Sequence, residues 1–137
     1  MRYLGIDVGD KRIGIAISDP SGVIATPYQV YNCVGPKKDL KYIAGLAREN
    51  DIAKIIVGLP RNMNGTLGIR AEKCQEFAAK LTRHTPAEVL MHDERLTTVG
   101  AEKMLISADV SRAKRKKVLD KLAAQLILQN YLDSINN

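Results

Sequence analysis

Two short alternating runs on either side of one turn constrain this chain more than any other feature. Leu4, Ile6 and Val8 alternate with Tyr3, Gly5 and Asp7. Gly9-Asp10-Lys11 then supplies turn chemistry. Beyond it Ile13, Ile15 and Ile17 alternate with Gly14, Ala16 and Ser18. A period of two marks strands, and a turn between two such strands predicts an antiparallel hairpin. Pro20-Ser21-Gly22 turns the chain again, so Val23 to Tyr31 is expected as a third strand. Pro27 cannot donate to a ladder, which places that strand at an edge or gives it a bulge.

After Pro36 the period changes. Leu40, Ile43, Ala44 and Ala47 share one helical face, predicting a helix over Pro36 to Glu49. Ala53 to Gly58 is a short apolar run suited to a buried parallel strand. Leu59 to Gly68 reads as a polar loop centred on Asn64-Gly65. A second amphipathic helix carries Cys74, Phe77, Ala78 and Leu81. Pro86 to His92 is the fifth strand, Thr97 to Ile106 a further helix, and Ala113 to about Leu132 the last. Three meandering strands followed by alternating helices and strands predict an α/β fold with a mixed sheet and helices packed on its faces.

The 137 residues suit one domain, 1–137, long enough to bury a core. No apolar run approaches the ~20 residues of a membrane span, and the N-terminus lacks the layout of a secretion signal. The expected compartment is the cytoplasm. Cys33 and Cys74 lack metal-type spacing and are expected to be reduced thiols.

Charge is concentrated. Arg112, Lys114, Arg115, Lys116, Lys117 and Lys121 face the single acid Asp120 and account for nearly all of the net charge of +6. Such a cluster attracts polyanions by counterion release, although a solvated helix face would look the same.

Three acidic positions lie where folding alone would not choose a carboxylate. Asp7 interrupts a strand, a place where Asp is depleted. It shares its face with Gly5, and Gly14 and Ala16 on the next strand are also small, which lets a ligand approach the sheet. Bonding to turn amides is the ordinary alternative, but Asp10 is better placed for that role. Asp93-Glu94 follows a strand, where ligands of open α/β sheets bind. Neighbouring strand residues point to opposite faces, so only one of the two need reach a site, and a helix cap cannot need both. Asp120 lines up with Ala124 and Ile127 on the last helix. A neighbouring lysine could neutralise it, and its place near a helix N-terminus is mildly favourable. His92 could position a water or a phosphate, or simply bond a neighbouring carboxylate. Brought together, the acids Asp7, Asp93, Glu94 and Asp120 would form a cage of oxygen ligands for divalent cations.

The same residues carry a family resemblance. Leu4-Gly5-Ile6-Asp7-Val8-Gly9-Asp10-Lys11-Arg12-Ile13-Gly14, Ile56-Val57-Gly58-Leu59-Pro60 with Asn62-Met63-Asn64-Gly65-Thr66, and His92-Asp93-Glu94-Arg95-Leu96-Thr97-Thr98 resemble the YqgF, or Holliday junction resolvase-like, family. Asp120-Lys121-Leu122-Ala123-Ala124, Ile127-Leu128 and Tyr131-Leu132 fit as well. The resemblance spans essentially the whole chain. It implies a ribonuclease-H-like mixed five-stranded sheet with helices on both faces, divalent metal (Mg²⁺ or Mn²⁺), and a cytoplasmic role in trimming the 5′ end of the 16S ribosomal RNA precursor.

By motif, Asp7 matches the first-strand acid and Asp120 the acid of the C-terminal helix. Related junction resolvases place a Glu where this chain has Gly58, so Asp93-Glu94 would substitute from the next strand. Asp7, Glu94 and Asp120 are then the candidate metal ligands. Paired ions about 3.5–4 Å apart activate water and steady the leaving oxygen of a phosphodiester. Lys11, Arg12, Arg61 and Arg95, with Arg112, Lys114, Arg115, Lys116 and Lys117, are candidate nucleic-acid contacts. Expected partners are the ribosomal RNA precursor, small-subunit particles and branched DNA, with the chain a monomer or weak homodimer. A junction resolvase favours a symmetric dimer with two sites. Asp7-Val8-Gly9-Asp10-Lys11 also resembles the first phosphate loop of sugar-kinase-like proteins, which need two such domains. A catalytically silent nucleic-acid-binding domain would not need all three acids.

Overall fold

The structure, a computed structural model, describes residues 1–60, 68–93 and 112–136, with the backbone alone described over 112–121. Five strands form one sheet in the order β3-β2-β1-β4-β5. They are β1 (Arg2–Val8), β2 (Arg12–Ser18), β3 (Ala25–Asn32), β4 (Ile52–Leu59) and β5 (Glu88–Asp93). The first three form an antiparallel meander, and β4 and β5 run parallel to β1. The described helices are α1 (Pro36–Glu49), α2 (Ile69–Leu81) and α3 (Arg112–Asn136). Expectations for Thr97 to Ile106 and for the loop around Asn64-Gly65 lie outside the described residues. No described helix is long and apolar enough to cross a membrane.

The β1–β2 turn is closed by the Gly9 amide, which donates to the Arg12 carbonyl at 2.8 Å. Asp19 builds the next turn. Its carboxylate accepts from the amides of Val23 at 2.9 Å and Ile24 at 2.8 Å, and from the Ser21 hydroxyl. These bonds, the Ser21 hydroxyl foremost, hold its pKa below the usual carboxylate range. Val23 and Ile24 are consumed by that turn, so β3 begins two residues later than the apolar pattern predicts. β3 is an edge strand, as Pro27 requires. Ile15 pairs Gln29 while Ala16 pairs Pro27, leaving Tyr28 as the extra residue of a bulge.

Strand alternation divides the core into two layers. Leu4, Ile6, Ile13, Ile15, Ile55 and Val57 pack under α1 and α2. Tyr3, Ala16 and Ile56 pack under Ala124, Ile127, Leu128 and Leu132 of α3. The helices therefore cover both faces. Side-chain amides pin α3 across the meander. Gln129 accepts from the Ala25 amide at 2.9 Å and donates to the Val23 carbonyl at 2.9 Å, and Asn136 donates to the Gly22 carbonyl at 2.9 Å. The Asn136 contact accounts for the helix running four residues past the apolar periodicity.

Candidate active site

Asp7 is the next-to-last residue of the central strand and is only 9% exposed. Alternation from Tyr3 and Gly5 puts it on the α3 face of the sheet. Its cross-strand partner is Gly14. On the other side Ile6 is level with Val57, so the next step of the parallel ladder sets Asp7 beside Gly58. Gly58 in turn pairs with His92. One row across this face thus reads Gly14, Asp7, Gly58, His92. The positions beside Asp7 on both neighbouring strands are thus glycine, which leaves room next to its carboxylate.

Arg70, near the start of α2, reaches the same carboxylate, with a guanidinium nitrogen 3.7 Å from Asp7 Oδ1. Sequence reasoning missed this residue. It is 63 positions from Asp7, and no local signal joins them.

His92 shares the α3 face with Leu90, and its ring meets Tyr131 of α3 edge-on at 6.1 Å. Burial pushes its pKa below the ordinary histidine value, and the Asp93 charge opposes this in part. The neutral imidazole is therefore the prevailing form at neutral pH, suited to hydrogen bonding rather than to neutralising a phosphate. Asp93 pairs with Leu59 and follows Met91 and Val89 in alternation, both packed into the α1/α2 layer. It is on the opposite side of the sheet from Asp7. Glu94, Arg95 and Arg61 lie outside the described residues.

Asp120 is in the first half of α3, one turn before Ala124. The band it heads is buried, with Ala124 fully covered and Ile127 at 1% exposure. Ala124 and Leu128 both sit against Gly5, two residues before Asp7. The basic residues Arg112, Lys114, Arg115, Lys116 and Lys117 occupy the opening turns of the same helix. Lys11 is exposed in the β1–β2 turn, and Arg12 begins β2. Among the described residues no three acidic, histidine or cysteine side chains form a metal cage.

Solved structures of low sequence identity share this fold. Over the whole chain, Thermus thermophilus RuvC in complex with a Holliday junction substrate superposes with a TM-score of 0.62 at 11% identity, covering 97% of that protein. Fowlpox virus resolvase in complex with Holliday junction DNA gives 0.60 at 13% identity, with both chains fully covered. The class is therefore the ribonuclease-H-like fold of the RuvC-type resolvases.

Sequence comparison is more specific. A family model described as "RuvX: Holliday junction resolvase" matches residues 1–134, and the chain belongs to this family. A Clostridium tetani protein is 52% identical over 137 residues, all of this chain and 99% of its own length. A Halalkalibacterium halodurans protein is 51% identical over 135 residues, 97% of this chain and 96% of its own. Both are named "Putative pre-16S rRNA nuclease".

Proposed function

We propose that this chain is a divalent-metal-dependent endonuclease that hydrolyses phosphodiesters in structured nucleic acid. Its substrate is the 5′ leader of the 16S ribosomal RNA precursor, met in the cytoplasm as free RNA or in small-subunit particles. The observation that carries this reading is a buried carboxylate, Asp7, on the central strand between two glycines. It belongs to a chain about half identical to proteins named for that activity.

The donor chemistry fits Mg²⁺ or Mn²⁺. Such ions take oxygen ligands and retain waters, so a few carboxylates suffice. Asp7, Asp120 and Glu94 would hold them. Asp120 shares a helical row with Ala124 and Leu128, the residues seated on β1 beside Asp7. Because alternation turns Asp93 to the far side, Glu94 is the acid of that pair assigned to the site, replacing the Glu that Gly58 omits. When bound, the metal supplies an activated water and stabilises charge on the leaving oxygen.

The rest is work for the chain's own side chains. Asp7, held in the sheet, fixes where the cations and hence the scissile phosphate sit. The Gly14 and Gly58 positions let the backbone of the nucleic acid come close to the sheet. Neutral His92 can bond a water or phosphate oxygen. Lys116, Lys117 and Lys11 hold flanking phosphates as point charges, and Arg12 through its planar guanidinium.

The decisive experiment presents purified protein with precursor 16S RNA and with synthetic four-way DNA junctions, each in Mg²⁺, Mn²⁺ or EDTA. Metal-dependent cutting of the RNA leader is expected. Cutting of junctions alone would make DNA the substrate, and cutting in EDTA would remove the metal from the reading.

A further inference from the structure

A second basic surface lies away from the acids. A groove of about 900 Å³ runs between the first turns of α1 and the end of α2. Lys37, Lys38 and Lys41 line it from α1, and Lys80, Arg83 and His84 from α2 and the turn after it. All six are exposed. Among the described residues, the only acid lining this groove or the adjoining pocket that pairs with one of these cations is Glu76, 2.9 Å from Lys80. Asp39 is buried beneath α1, and its carboxylate is taken up by the Tyr31 hydroxyl and the Val34 amide, each at 2.9 Å. Among the described residues no carboxylate pairs with Lys37, Lys38, Lys41 or Arg83.

The groove adjoins a pocket of about 420 Å³ that reaches Gly9 and Asp10, in the turn soon after Asp7. The two cavities share Gly35, Pro36, Leu40 and Lys80. The groove therefore lies beside a pocket that borders the β1–β2 turn.

We infer that this groove binds the sugar–phosphate backbone of an RNA segment flanking the cut. The inference rests on the nuclease reading above. Charge complementarity selects the occupant. Lys37, Lys38 and Lys41 are flexible point charges within little more than one helical turn, and with Lys80 and Arg83 they face a common trough. Such an array suits successive phosphates. A protein partner would be expected to meet aromatic or other large apolar anchors. Here the apolar residues of the lining are Val34, Pro36 and Leu40, none of them aromatic, and Leu40 is buried. Neither lysine cluster is in the run from Arg112 to Lys117, so the two surfaces are independent. The sequence signal was present but dilute, because each cluster is balanced elsewhere in the chain.

The test is the triple substitution Lys37→Ala, Lys38→Ala, Lys41→Ala, beside a charge-keeping triple Lys→Arg variant. Binding of fluorescent precursor RNA is measured in EDTA, where no cutting can intervene, across a salt series. Three lost phosphate contacts should reduce the slope of log K against log salt by about 2, and affinity at low salt by about 10–100-fold. The arginine variant should keep both. With metal, a short fragment containing only the cut site should be cleaved at the wild-type rate, while KM for long precursor rises. If wild-type protein proves unable to cut any substrate but the EDTA slope changes as stated, the nuclease reading fails and the groove stands. Wild-type slope and affinity in the alanine variant overturn the groove. So does equal loss in the arginine variant, which would trace the effect to helix damage. Weakened binding to phosphatidylglycerol vesicles with RNA binding intact would overturn it in favour of a lipid surface.

Discussion

Gly5 and Leu128 meet where no side chain on the strand could fit. A Cβ on Gly5 would lie 2.6 Å from Leu128 Cβ and 3.0 Å from the Ala124 carbonyl oxygen. Helix α3 can settle onto β1 only because this position is glycine. The contact lies two residues before Asp7 on the strand and one to two turns after Asp120 on the helix. A packing requirement therefore sets how closely the two elements carrying the proposed ligands approach.

Gly5→Ala should lift the helix or displace Leu128. Overpacking of this kind costs about 1–3 kcal/mol. The expected result is a lower midpoint in urea, together with a loss of cleavage greater than the unfolded fraction explains. Wild-type stability in this variant would show that α3 is not seated as described.

Asp7→Asn separates the carboxylate's chemistry from its packing. The amide keeps the shape but not the charge. Changes to groups merely supporting a metal's ligands already cost about 10–100-fold in affinity or activity, so loss of a direct ligand should cost at least ~100-fold in cleavage. Folding should survive, because removing the buried charge removes its desolvation penalty, while the lost ion pair to Arg70 is long, at 3.7 Å, and the Arg70 side chain is mostly exposed. The metal-free variant should melt no lower than the metal-free wild type. Cutting at the wild-type rate would end the assignment of Asp7.

Much of this arrangement was legible locally. α1 matches the sequence pattern to the residue and β1 ends where its alternation ends, because the change of period at Pro36 and the turn after Val8 are local signals. The start of β3 was not legible, since Val23 and Ile24 look like strand but are held by Asp19. The end of α3 depends on an Asn136 contact 114 residues away in sequence. The site divides in the same way. Asp7 is conspicuous as a carboxylate within a strand, and its glycine neighbour Gly14 follows from the hairpin. Arg70 reaches it only through the folded chain. The basic groove joins two clusters from separate helices, which no spacing rule connects.

The α1 layer has its own pH signature. Burial, then the hydrogen bond to Asp39 and that residue's charge, push the Tyr31 phenol up to about 12. A group raised in the folded state favours folding fully below its unfolded value, near 10, and loses that contribution as pH rises through about 12. Stability should therefore decline across about pH 10–12, and Tyr31→Phe should flatten the decline. Ultraviolet titration of the phenols with parallel unfolding curves checks this. An unchanged slope in the Phe variant would remove Tyr31 as its cause.

Asp93 and Glu94 offer the sharpest test of the site, because adjacent residues make opposite predictions. Asp93 pairs with Leu59 on the side of the sheet occupied by Met91 and α1/α2, away from Asp7. Glu94, the next residue in the chain, is the acid of the proposed ligand set. Glu94→Gln should therefore lower cleavage at least ~10-fold and reduce the rise in melting temperature that Mn²⁺ produces, since a ligand binding only the folded state stabilises in proportion to its affinity. Asp93→Asn should leave the Mn²⁺ shift intact. It should also lower the His92 pKa further, because the Asp93 charge now opposes the effect of burial. The His92 ring protons report that titration directly by NMR. If Asp93→Asn abolishes the Mn²⁺ shift while Glu94→Gln retains it, Asp93 is the ligand and Glu94 is not.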